Sequence, residues 1–139
     1  MGMKDLIVIT VPAVPKYLCL IRDVTVRLGV SVGFGEPVIN TLKLAIDEAC
    51  TNIIKHTYKG DTGKKIRIQY KITKKAFEAV IEDSGKKVNP ELLQGRDLDD
   101  VRPGGLGIHF IKRAFDVVAY DEKKKKGNRL RLIKYLKEE

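Results

Sequence analysis

Apolar and polar residues alternate most regularly over residues 65–72, where Ile66, Ile68, Tyr70 and Ile72 take turns with Arg67, Gln69 and Lys71. This period of two predicts a half-buried strand. Lys74-Lys75 then turns the chain into a second strand over 76–82, so the pair reads as a hairpin. A β-branched run at 4–10 predicts a first strand, closed by Pro12 and Pro15. Leu18, Ile21, Val24 and Leu28 recur at spacings of three and four, which predicts a helix over about 16–28. Gly29, Gly33 and Gly35 are expected to end that helix and form a flexible turn. Glu36-Pro37 opens a longer helix, with proline in the first turn, where a missing N–H costs little. Its expected buried stripe is Val38, Leu42, Ala45, Ala49 and Ile53, and its end falls near Thr57.

Periodicity is lost from 83 to 107, a stretch rich in Gly and Pro. Long irregular segments in compact domains usually serve a function. A short helix at 108–115, a strand at 116–120 and a last strand at 129–135 follow. Hairpins mixed with helices, without a strict strand–helix repeat, predict an α+β fold: a two-layer sandwich with a mixed, mostly antiparallel sheet.

At 139 residues the chain is expected to form one domain over 1–139. A hydrophobic share of 43% and a charged share of 32% fit a folded globular protein. No apolar run approaches the ~20 residues of a membrane helix, so no membrane association is expected and a cytoplasmic location is. Cys19 and Cys50 both sit in apolar helical patterns and read as buried free thiols, not as a disulfide. His56 and His109 are the only histidines, and no Cys/His cluster has zinc spacing. The net charge of +9 raises the question of nucleic acid. Its excess lies at Lys64-Lys65, Lys74-Lys75, Lys86-Lys87 and 123–126, in turns without interleaved aromatic platforms. Direct nucleic-acid binding is therefore not expected.

Three pieces carry candidate chemistry. Glu48 and Asn52 are four apart on the second helix, so they share a face, and His56 continues the row. A carboxylate can accept a proton or orient a nucleophile, and an amide oxygen is a hard ligand suited to Mg²⁺. Asp83-Ser84-Gly85 stands at a strand end, where Asp can read a donor such as an exocyclic amine and Gly admits close approach. Gly104-Gly105-Leu106-Gly107 precedes a helix, where backbone N–H groups can receive phosphate oxygens. The Gly-Lys-Ser/Thr ending of a Walker A loop is absent. Singly, each piece reads equally well as a solvent face, a turn or a flexible loop.

In order and spacing the three resemble the N, G1 and G2 boxes of the GHKL (Bergerat-fold) ATPase superfamily, particularly its bacterial anti-sigma-factor serine kinases and switch kinases. The likeness runs from the stretch at 44–56, through Asp83-Ser84-Gly85 and Gly104 to Ile108, to Gly127-Asn128-Arg129-Leu130. It covers nearly the whole chain. The resemblance implies an ATP-binding domain with a lid over about 84–106. Asn52 would hold Mg²⁺, Glu48 would act as general base, and Asp83 would contact adenine, with Gly85 permitting close approach. Gly104, Gly105, Leu106 and Gly107 would cradle phosphates, and Arg102 would reach the γ-phosphate. Lys86 and Lys87 are weaker lid candidates. Asn128 stands where the family often has Thr beside the adenine, and its amide can also hydrogen-bond. No phospho-accepting histidine helix precedes the ATPase core, which argues against a complete sensor kinase.

The implied function is a Mg-ATP-dependent serine/threonine kinase and anti-sigma factor. It would phosphorylate an anti-anti-sigma (STAS-type) protein, sequester a sigma factor and form a homodimer. The alternative is a nucleotide-gated regulatory binding protein with little or no kinase activity.

Overall fold

The computed structural model describes residues 5–88 and 105–137. Strands β1 (Asp5–Pro12), β2 (Lys65–Ile72), β3 (Ala76–Asp83), β4 (Val117–Tyr120) and β5 (Asn128–Tyr135) form one sheet in the order β1-β2-β3-β5-β4. Every pairing is antiparallel. Helices α1 (Leu18–Ser31), α2 (Glu36–Asn52) and α3 (Gly105–Ala114) cover one face, and α2 packs against both of the others. This is the two-layer α+β sandwich that the patterning predicts.

The alternation in β2 decides which face is covered. Ile66, Ile68 and Tyr70 are fully buried, and the β3 and β5 partners Ile81, Ala79, Leu130 and Leu132 join them in the same layer. The predicted turn at Lys74-Lys75 is held by Thr73, whose hydroxyl accepts from the backbone of Lys75 and Ala76. The opposite face carries charge in pairs: Arg67 with Glu82 at 2.8 Å, Arg131 with Glu78 at 3.1 Å and Arg129 with Asp121 at 3.0 Å.

The helices differ from expectation in several places, α3 beginning at Gly105 and not at 108 among them. Gly29 does not end α1; it is buried inside it, because Ile39 of α2 fills the space beside it. A Cβ on Gly29 would lie 2.9 Å from Ile39 Cγ1, so glycine here lets two helices approach. The buried stripe of α2 begins at Ile39, with Val38 half-buried, and it includes Ile46 and Cys50 beside the expected Leu42, Ala45, Ala49 and Ile53. Cys50 is fully buried, whereas Cys19 is only partly so; both are free thiols. Burial pushes the Cys50 thiol up to about 12. Between α1 and β2, Thr25 and the Tyr70 hydroxyl are buried 2.7 Å apart, and Thr25 also donates to Ile21 O at 2.8 Å. Pairing of this kind is what makes burial of polar groups tolerable.

Candidate nucleotide site

The end of β3 and the start of β5 are tied together around Asp83. Asp83 is 8% exposed, and its Oδ1 accepts from Gly85 N and from Asn128 Nδ2, each at 2.9 Å. Burial pushes this carboxyl above its ordinary value, and the hydrogen bonds from Asn128 and Gly85 partly oppose that. The Asn128 amide is used three times: it also donates to Lys86 O at 2.9 Å and accepts from Val88 N at 2.8 Å. Asn128 therefore fixes the chain leaving Asp83 as well as Asp83 itself. Gly127 makes the approach feasible. It adopts φ +71°, and any Cβ there would overlap Asp83 O and sit 3.0 Å from Ser84 Cα. Left-handed backbone under such contact favours glycine strongly.

Tyr58 holds the same corner from the helix side. Its hydroxyl donates to Lys65 O at 2.6 Å and accepts from Ser84 N at 2.8 Å. Thr57 packs against Gly85, where a Cβ would overlap its methyl carbon. In this structure the close approach permitted by Gly85 is thus to Thr57.

Asn52 closes α2, and a π-helical turn, Ile53–Thr57, follows directly. Such turns are rare and recur at functional sites. The wider winding breaks the row expected along Glu48, Asn52 and His56: His56 is exposed, while Asn52 and Thr57 line a pocket together with Asp83 and Tyr120. Ile81 and Leu130 come from the sheet, and Ile108 and Ile111 of α3 complete the wall. The Asn52 amide makes no hydrogen bond among the described residues, so its oxygen is available as a ligand. Burial and the neighbouring Asp83 charge push the Tyr120 hydroxyl up to about 12, so it stays protonated near neutrality. The enclosed volume is about 30 Å³. Ligand pockets usually hold roughly 300–1,000 Å³, so the described residues enclose only a part of the space a purine would need.

Glu48 reaches α3 beside this pocket. Its carboxylate packs on Gly107, where a Cβ would lie 2.8 Å from Glu48 Cδ. The fold thus brings Glu48 against Gly107, and Asn52 into one pocket with Asp83, with Asn128 bonded behind Asp83. Gly105 opens α3 and Leu106 follows it in the helix. Arg102, Gly104 and most of the expected lid lie outside the described residues. Among the described residues no group of three His, Cys, Asp or Glu side chains could hold a metal. A Mg²⁺ held by one amide oxygen, with phosphate and water completing its shell, needs no such cluster. The free Asn52 amide fits that requirement. Sequence reasoning missed Tyr58, Thr57 and Tyr120.

A sequence profile of the histidine kinase-like ATPase domain matches residues 11–134. The serine-protein kinase RsbW of Listeria innocua serovar 6a is 32% identical over 98% of this chain and 90% of its own length. The protein of the same name from Bacillus subtilis strain 168 is 29% identical over 82% and 76%, and that of Bacillus pumilus is 28% identical over the same shares. ATP use goes with this kinship. The chain belongs to the histidine kinase-like ATPase domain family, within its serine-protein kinase branch.

Proposed function

We propose that this kinase transfers the γ-phosphoryl of Mg-ATP to a serine or threonine of a small anti-anti-sigma (STAS-type) protein, and that it sequesters a sigma factor. The observation that carries the reading is the convergence of Asp83, Asn52 and Glu48 around α3. The Asp83 carboxylate, whose Oδ1 is held by Gly85 and Asn128, receives the amino group of adenine. Ile81, Ile108 and Leu130 supply apolar surface for the ring. Asn52 holds the Mg²⁺, which offsets charge on the transferred group when bound. Glu48, one turn before Asn52, orients the acceptor hydroxyl and takes its proton. The N–H groups at the start of α3, with Gly107, receive phosphate oxygens. Gly104 and Arg102 are assigned to the same task by resemblance. The kinase acts as a homodimer in the cytoplasm, and among the described residues no helix is long and apolar enough to cross a membrane.

The test is capture of partners from native extract on the immobilised chain, with and without Mg-ATP, followed by phosphosite mapping. The expected result is a small protein that acquires phosphoserine or phosphothreonine only with Mg-ATP, and a sigma factor retained separately. Capture of partners with no phosphate transferred to any of them contradicts the reading.

A further inference from the structure

Two lysine tracts far apart in the chain meet in space. Lys86-Lys87 leaves the end of β3, and residues 123–126 form the tip between β4 and β5. Lys87 Nζ donates to Lys124 O, and Asn128, where the tip returns to the sheet, bonds both Lys86 O and Val88 N. The tip is itself braced: Asp121 Oδ1 accepts from Lys123 N at 2.9 Å, and Asp121 Oδ2 pairs with Arg129 at 3.0 Å.

Six lysines therefore share one rim. Lys124 has a carboxylate partner, Glu82, at 3.4 Å. Lys86, Lys87, Lys123, Lys125 and Lys126 are exposed and pair with no carboxylate among the described residues. The contrast with the neighbouring sheet face is informative, because Arg67, Arg129 and Arg131 each have an acidic partner there. Like charges gathered without partners destabilise a fold through self-repulsion but attract an oppositely charged partner and speed its encounter. The rim also adjoins the nucleotide pocket, since Gly127 and Asn128 abut Asp83. No aromatic residue lies within 84–88 or 121–127 to stack on bases, which favours an acidic protein over nucleic acid.

We propose that these lysines form one docking surface for an acidic segment of the protein that this kinase phosphorylates, an inference that rests on the kinase reading above. Docking there brings the acceptor to the edge of the pocket. It makes association depend on ionic strength while leaving the transfer step itself unchanged.

The test compares three full-length proteins by fluorescence anisotropy with a labelled oligoglutamate peptide, at low and high salt. They are wild type, K123E/K125E/K126E, and the control K64E/K74E/K75E, whose lysines lie at other turns. The rim variant is expected to bind the peptide about tenfold more weakly, the combined effect of three exposed ion pairs, and with a shallower salt dependence. The control should bind nearly as wild type does. Both variants should keep the stabilisation by Mg-ATP, which shows a folded nucleotide site. With the captured acceptor protein, the rim variant should show a raised KM and an unchanged kcat. Neutral K123Q/K125Q/K126Q should fall between wild type and the charge reversal. Equal losses in rim and control variants overturn the proposal, as does tighter binding of an oligonucleotide of equal charge through the same lysines. The peptide measurement needs no turnover. It therefore decides the docking surface even where wild type transfers no phosphate, so the two failures remain distinct.

Discussion

Replacing Asn128 by alanine removes three hydrogen bonds from a buried position at once. One goes to the Asp83 carboxylate and two to the backbone of Lys86 and Val88. A bond to a charged group contributes about 1.5–3 kcal/mol, and an ordinary one about 0.5–1.5 kcal/mol. The two backbone groups lie near solvent, so water replaces part of what they lose. The expected deficit is about 2–4 kcal/mol, equivalent to a fall in Tm of roughly 6–16 °C for a domain of this size. The deficit should also depend on pH. Burial raises the Asp83 carboxyl above its ordinary 3.8, so the folded chain holds that proton more tightly than the unfolded one. This group's stabilising effect is present in full below the ordinary value and is lost as the pH rises through the raised, folded value. Asn128 opposes the shift, and its removal extends that window upward. Urea unfolding of wild type and N128A at about pH 4 and about pH 7 should show the larger deficit at the higher pH. An equal deficit at both, or one under about 1 kcal/mol, refutes the coupling of Asn128 to an ionised Asp83.

Gly127→Ala places a Cβ against Asp83 O at φ +71°, and should cost about 2–4 kcal/mol in urea unfolding, from left-handed strain plus overpacking. Gly107→Ala pushes the Glu48 side chain from its place, so phosphotransfer should fall at least about tenfold, as displaced catalytic groups do, while Tm stays near wild type. Of the two thiols, Cys19 should react with a disulfide reagent in the folded protein and Cys50 only after unfolding, since Cys50 is buried and its thiol is pushed up to about 12. Equal labelling of both in the native state contradicts the described core.

What could be read from the sequence divides along physical lines. The hairpin from 65 to 83 was legible because one buried face imposes a period of two, and Lys74-Lys75 marks the turn. The long helix was legible through Pro37 and its apolar spacing. Gly29 misled because a glycine at a helix–helix contact looks like a terminator until its neighbour, Ile39, is known. Val38 and Ile39 are adjacent apolar residues, and only the packing of α1 selects which one turns inward. The π turn after Asn52 has no local signature, so the displacement of His56 could not be anticipated. At the candidate site, Glu48, Asn52, Asp83 and the glycines stood out as short motifs. Tyr58 and Tyr120 did not, because each acts through contacts with strands distant in sequence. The pairing of Asn128 with Asp83 likewise depends on β3 and β5 being neighbours in the sheet, which places Asn128 opposite Asp83.

The most direct test of the central claim is a paired measurement on Glu48→Gln: nucleotide titration beside phosphotransfer to the captured acceptor. The substitution keeps the side chain's shape against Gly107 and removes its basicity. Mg-ATP affinity should stay within a few-fold of wild type, while transfer slows by the ~10²–10⁴ typical of a lost general base. Transfer at the wild-type rate contradicts the assignment of Glu48, and a nucleotide-gated binding protein then becomes the better account.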